Sequence, residues 1–168
     1  VFMSYDMFMF FLFYEIAVVP MYILILVWGS TRKEYAAMKL TLYLMAGSGL
    51  IIPGILMLYS ASGLNTFDMV RLHGVQFTPW VQNVAFVLLL FGFGVLAAMW
   101  PLHTWSPVGH VAAPTAVSML HAGVLMKLGS FAILRVGMYL CPHGFQYWAQ
   151  LMALLATAGI VYGVFVGL

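Results

Sequence analysis

The sequence predicts an all-α, polytopic membrane protein on three observations: 65% of its 168 residues are hydrophobic, only 6% are charged, and five apolar runs are each long enough to cross a bilayer. A soluble domain of this length cannot hide so much apolar surface, because burial is limited by the surface-to-volume ratio. The excess must face lipid or other membrane-embedded protein.

Crossing about 30 Å of hydrocarbon takes roughly 20 mostly apolar residues. The five stretches lie at about 7–29, 36–59, 80–102, 111–138 and 148–168, and form one transmembrane domain over residues 1–168. Each is expected to be a helix, since an open strand in lipid leaves backbone groups unpaired and none of the runs alternates as a barrel strand does. The start at Val1 and the end at Leu168, inside an apolar run, read as those of a fragment. No positively charged segment precedes the first run, so a cleavable signal peptide is not expected.

Orientation follows from the connections. Arg32, Lys33, Glu34 and nearby Lys39 cluster at the first, whereas Asp68 and Arg71 cancel in the longer one at 65–78. The positive-inside rule puts the first connection in the cytoplasm. The chain then starts outside, the turn at 104–110 lies inside, and Cys141, Pro142 and His143 lie outside. Arg135, near an outer end, runs against this assignment. Trp80, Trp105 and Trp148 suit an interfacial aromatic belt, and His73 and His143 fall in outer, solvated connections.

Glycine and proline interrupt the spans more than a simple anchor needs: Gly47, Gly49, Pro53 and Gly54 in the second, Gly92, Gly94 and Pro101 in the third. Such breaks are tolerated where neighbouring helices or cavity water satisfy the freed backbone. In the fifth span Gly159, Gly163 and Gly167 recur at every fourth position, a face that another helix can approach closely.

Several function classes fall away. Six scattered Lys and Arg residues form no stripe for a nucleic-acid backbone. A single cysteine, Cys141, excludes an internal disulfide and a cysteine-ligated cluster. No Gly-rich loop, nucleophile triad or haem-histidine pair is present at recognisable spacing. Metal binding at His103 and His110 is disfavoured, because Pro107 and Gly109 separate them and no acidic or thiol ligand is near in sequence.

Chemistry concentrates in two charges inside the spans. Glu15 follows eight apolar or aromatic residues, and an unpaired carboxylate there costs at least about 2.5 kcal/mol. Intramembrane acids therefore face a polar interior, find a partner or stay protonated. Pro20 lacks an N–H, which frees the Ile16 carbonyl beside the carboxyl. The alternative is a neutral, hydrogen-bonded glutamate that only fixes packing. Lys127 lies near the middle of the fourth span, too deep to snorkel, and Gly123 and Ser130 share its face and leave room for water. Burial lowers a lysine pKa and a nearby carboxylate raises it, so such a group can take up and release a proton when a partner charge moves. The alternative is a static pair between helices. His103, His110 and His121, which surround the inner turn, can pass protons between water and Lys127, with Ser130 a further relay candidate. His121 lies off the Lys127 face, and a hydrogen-bonded structural histidine is its other reading.

Residues 10–22 (FFLFYEIAVVPMY), 101–115 (PLHTWSPVGHVAAPT) and 122–135 (AGVLMKLGSFAILR) resemble the antiporter-like proton-pumping subunits of respiratory complex I, the NADH-ubiquinone oxidoreductases, and most closely their M type, chain 4. That resemblance implies a larger bundle of inverted repeats, of which this chain is the middle, with one helix broken near Pro101. It implies that Glu15 is the essential glutamate, that Lys127 is the central lysine, and that His103 and His110 are the two histidines of a PLHxWLPDAH pattern. It also implies that NADH, FMN, iron–sulfur clusters and quinone belong to partner subunits. No cofactor is then expected in this chain, its partners are neighbouring membrane-arm subunits and lipid, and its location is the bacterial cytoplasmic membrane rather than the mitochondrial inner membrane. Two positions depart from the pattern. The lysine that pairs with the glutamate should fall at Leu96, and the usual Asp of LPDAH is Val108. Lys39 is the only other nearby cation in sequence. The departures keep a divergent, non-conducting scaffold open, alongside a related cation/proton antiporter or membrane-bound hydrogenase subunit.

Overall fold

The computed structural model describes residues 1–167. Leu168, the last residue of the expected fifth span, lies outside the described residues. Five helical stretches are long and apolar enough to cross a membrane: α1 (Met7–Trp28), α2 (Lys33–Ser62), α4 (Pro79–Leu96), the stretch Thr115–Met138, and α8 (Pro142–Gly167). Two short helices, α3 (Met69–His73) and α5 (Trp105–Ala112), lie between them. The Thr115–Met138 stretch is one rod with two π-helical turns, α6 (Thr115–Leu120), π over His121–Leu125, α7 (Met126–Ala132) and π over Ile133–Met138.

Aspartates start the outer elements. Asp6 caps α1 by accepting from the Met9 N–H at 2.8 Å, and Asp68 caps α3 by accepting from Val70 N–H at 2.9 Å. Each places a negative charge where a helix start leaves N–H groups free. Backbone bonds from Met7 to Phe67 (3.0 Å) and from Met69 to Tyr5 (2.8 Å) tie the head of α1 to the long connection. Gly63, at φ 65°, ends α2 in the left-handed conformation that glycine adopts without strain.

The most extensive interface joins α2 to α4, and glycine makes it possible. A Cβ on Gly47 would lie 2.9 Å from the Gly92 carbonyl oxygen, and one on Gly92 would lie 3.0 Å from that of Gly47. In lipid, where hydrophobicity does not drive helices together, such close backbone approach is the main source of cohesion. Leu40, Leu44 and Ile51 of α2 and Leu89, Phe93 and Leu96 of α4 have no exposure.

The third span breaks where the resemblance places the break. The helix stops at Leu96, turns run through 97–104, and α5 resumes at Trp105. The expected turn at 104–110 is thus mostly helix. Pro107 sits in the first turn of α5, where a missing N–H costs nothing. The C-terminal end of α5 rests against the connection after α1, with Ser30 N–H donating to the Ala112 carbonyl at 2.8 Å. Trp105 is also not interfacial. It is fully buried, and its indole Nε1 donates at 2.9 Å to the Val95 carbonyl, which also accepts the Ala98 N–H at 3.1 Å.

Candidate functional site

Glu15 lies at the edge of the buried face of α1, one position beyond the fully buried Tyr14 and three before Val18. Successive helical residues are about 100° apart, so its carboxyl is delivered to the seam with α2 and stays half-buried. There it accepts a hydrogen bond from the Ser48 hydroxyl. Ser48 is itself buried and lies 2.9 Å from the Leu44 carbonyl one turn earlier on α2. The Tyr14 hydroxyl is 3.5 Å from both the Leu44 carbonyl and Ser48 Oγ. Among the described residues, Arg71 and Asp68 form the only ion pair, at 3.6 Å, so Glu15 has hydroxyl neighbours and no cation. Lys39 does not reach it. Its ammonium lies 5.9 Å from the ring centroids of Tyr35 and Tyr43, and the Tyr43 hydroxyl accepts from Thr104 at 2.9 Å.

Lys127 is placed differently from the sequence reading, which buried it. Leu128, Gly129 and Ala132 turn toward α4, and a Cβ on Gly129 would strike the Ala97 backbone. That packing fixes the rotation of α7 and leaves Lys127 and Ser130, three residues apart, on the exposed face. Gly123 shares the open side, with no atom near its would-be Cβ. Lys127 and Glu15 thus lie on different surfaces of the bundle.

The three histidines separate into a pair and a single. His110 and His121 stack at 4.7 Å between ring centroids, and Trp105 stacks on the other side of His121 at 5.1 Å. His110 Nδ1 is 2.7 Å from the Ser118 hydroxyl. Partial burial in α5 pushes its imidazole pKa below the ordinary histidine value. His121 is fully buried, and neither ring nitrogen meets a hydrogen-bond partner among the described residues. It faces inward from the span whose outer face carries Lys127. His103 stands apart in the break, edge-on to Tyr162 at 4.8 Å, beside a cleft of about 540 Å³ between the break and α8. Among the described residues, no group of three His, Cys, Asp or Glu side chains could hold a metal ion.

Leu96 is fully buried in apolar surroundings at the end of α4, and Val108 is half-buried on α5, beside Arg32 and Tyr35. Ser48, Tyr14, Ser118 and Trp105 were not singled out by sequence reasoning as site residues. A serine in mid-span opposite an intramembrane glutamate was the available signal for Ser48, but only the crossing of α1 and α2 brings residues 33 positions apart together.

A bundle of apolar helices with one broken before a short helix, a carboxyl in a helix seam and a mid-span lysine on an open face defines a multi-pass membrane protein that carries ionisable groups within its spans. The family described as "NADH:quinone oxidoreductase/Mrp antiporter, TM" matches residues 4–168, and the chain belongs to it. Its relatives include NAD(P)H-quinone oxidoreductase chain 4 proteins of Microcystis aeruginosa, 39% identical over 98% of this chain and 30% of that protein, and of Picosynechococcus, 40% identical over 98% and 30%. Among solved structures it superposes on a chain of respiratory complex I from Thermus thermophilus with a TM-score of 0.89 and 26% identity, over 97% of this chain and 35% of that one. It also superposes on a chain of the archaeal membrane-bound sulfane sulfur reductase, with a TM-score of 0.85 and 28% identity over 95% and 33%. The chain thus spans about a third of the length of the proteins it matches.

Proposed function

We propose that the chain is the middle of a proton-translocating, M-type subunit in the membrane arm of an NADH:quinone oxidoreductase, seated in a bacterial cytoplasmic membrane. The observation that carries this reading is the Glu15 carboxyl, held in the α1–α2 seam by a hydroxyl and, among the described residues, without a cation. A carboxyl so placed can gain and lose a proton as nearby charge changes, because no fixed counter-charge locks it in one state. Lys127 would take up and release protons on the open face of α7, its partners coming from protein that covers that face. His110 and His121, with Ser118, would serve the Lys127 side of the path, His121 by way of water at its free ring nitrogens. His103, Ser130 and Lys39 are secondary candidates. Redox chemistry lies elsewhere: NADH, flavin, iron–sulfur clusters and quinone are assigned to partner subunits, and neighbouring antiporter-like subunits are the contacts expected in the membrane.

A second reading, a subunit of a cation/proton antiporter or a membrane-bound hydrogenase relative, draws on the likeness to the sulfane sulfur reductase chain. A non-conducting scaffold draws on Leu96, whose burial among apolar side chains leaves no cation beside Glu15.

The test is proton pumping in membrane vesicles with the full-length subunit in its complex, comparing wild type with Glu15→Gln and Lys127→Ala at matched assembly. Loss of pumping in either variant supports translocation through these charges. Normal pumping in both makes them structural and brings the scaffold reading forward.

A further inference from the structure

The Ser48 hydroxyl has one proton and two acceptors within reach, the Glu15 carboxyl and the Leu44 carbonyl at 2.9 Å. A serine inside a helix commonly back-bonds to the carbonyl four residues earlier, and Leu44 is that residue. Here the same oxygen also faces a carboxyl on another helix, and it is buried. It cannot donate to both at once. The Tyr14 hydroxyl, with no exposure of its own, lies 3.5 Å from both the Leu44 carbonyl and Ser48 Oγ, so a second donor is available wherever the first is not.

We propose that Ser48, backed by Tyr14, is a positioning residue for Glu15: its hydroxyl reverses its hydrogen bond when the carboxyl changes protonation, which keeps Glu15 in the α1–α2 seam in both states. With Glu15 ionised, Ser48 O–H donates to the carboxylate and Tyr14 O–H donates to Ser48 Oγ. With Glu15 protonated, the carboxylic O–H donates to Ser48 Oγ, and the Ser48 proton turns to the Leu44 carbonyl. Both lone pairs of that carbonyl are then taken, by the Ser48 N–H of the helix and the Ser48 O–H, and Tyr14 O–H keeps donating to the second lone pair of Ser48 Oγ. No bond to oxygen breaks in Ser48 or Tyr14; only O–H rotors turn, and every donor has an acceptor in each state. This matters because a buried polar group left unpaired in one of two states biases the equilibrium against that state. The arrangement does without the cation that Leu96 cannot supply. A fixed lysine favours the ionised form alone, whereas a hydroxyl serves both.

This inference rests on Glu15 as a proton-carrying group, and the experiment separates the two ideas. Infrared difference spectra and proton pumping would be measured on the full-length subunit in its complex for Glu15→Gln, Ser48→Ala, Ser48→Thr and Tyr14→Phe. Glu15→Gln should abolish a protonated-carboxyl C=O band and with it pumping; if it pumps like wild type, the reading of Glu15 itself fails. Given an assigned band, Ser48→Ala should shift it to higher frequency and slow pumping on the order of ten-fold, the loss expected for one hydrogen bond to a charged group. Ser48→Thr, which keeps the hydroxyl, should restore both, and Tyr14→Phe should give a smaller change in the same direction. A Ser48→Ala band and pumping rate both unchanged, or a Ser48→Thr variant as impaired as Ser48→Ala, would overturn the positioning role and leave Glu15 standing. If Ser48→Ala does not assemble, the Ser48→Thr and Tyr14→Phe pair decides: a Tyr14→Phe band at its wild-type frequency overturns the proposal.

Discussion

Glu15 and Lys127 have opposite surroundings. The carboxyl is drawn into a seam between two helices of this chain and meets buried hydroxyls, while the ammonium stands on an outward face beside Ser130 and Gly123. An ionised group in the hydrocarbon region needs polar company. For Glu15 that company is built in; for Lys127 it must come from helices that pack on α7. One charge is therefore served by this chain's own side chains, and the other only by neighbours.

The largest effect separates the two faces of the Lys127 span. Gly129 presses against the backbone of the broken third span, and Gly123 faces open space. Gly129→Leu is expected to abolish assembly of the subunit, because the clash is with backbone that cannot move aside. Gly123→Leu should leave folding intact. Assembly yield measured by native gel for both variants checks this. If Gly123→Leu fails as completely as Gly129→Leu, the open face is covered as tightly as the inner one, and the comparison between the two charges collapses.

Next in size is the position where the resemblance expects a lysine. Leu96 has no exposure and packs in an apolar core. Leu96→Lys is expected to destabilise the subunit by about 3–5 kcal/mol, the cost of a buried charge without its partner. Thermal unfolding in detergent, against Leu96→Met as a volume control, measures it. A Leu96→Lys variant as stable as Leu96→Met would mean that Glu15 reaches across to pair with it, and that hydroxyl and lysine are interchangeable partners.

Much of the fold was legible in the sequence because lipid enforces it. Long apolar runs have one backbone solution, and Gly92, Gly94 and Pro101 marked the third span as interrupted. Glu15 and Lys127 were legible for the same reason, since charge in such runs stands out. What could not be read was rotation and register. Whether Lys127 faces in or out depends on which side of α7 carries Gly129, and the sequence alone does not say which neighbour that glycine will meet. Trp105 looked interfacial because tryptophan near a span end usually is, yet its indole turns inward and donates to the Val95 carbonyl at the end of α4.

That indole gives a smaller prediction on the inward side. Trp105→Phe keeps a ring against His121 and removes only the donor to the Val95 carbonyl. The Val95 carbonyl keeps the Ala98 N–H at 3.1 Å, so the loss is that of one hydrogen bond, about 0.5–1.5 kcal/mol, and the melting temperature of the assembled subunit should fall slightly while the His110–His121 stack persists. An unchanged melting temperature would show that the Ala98 N–H alone satisfies the Val95 carbonyl, and that the break does not depend on Trp105.

The smallest expected effect lies at the outer end, where surface charge has little leverage. Arg135 ran against the positive-inside reading, and its guanidinium is placed 4.8 Å from the Tyr5 ring centroid and 5.6 Å from that of Tyr139. An exposed cation–π contact contributes about 0.5–1 kcal/mol. Tyr5→Leu should therefore lower stability by no more than that, well below Leu96→Lys. Tyr139→Leu should cost somewhat more, because Tyr139 also stacks on His73 at 3.9 Å and its carbonyl lies 2.9 Å from His73 Nδ1, a bond the substitution keeps. A double-mutant cycle between Tyr5 and Arg135 isolates the pair. A coupling near zero would reduce Arg135 to an ordinary surface charge. A coupling above about 2 kcal/mol would mean the contact is shielded from water by protein packed over the outer end, which would extend to this end the outside cover that Lys127 requires on α7.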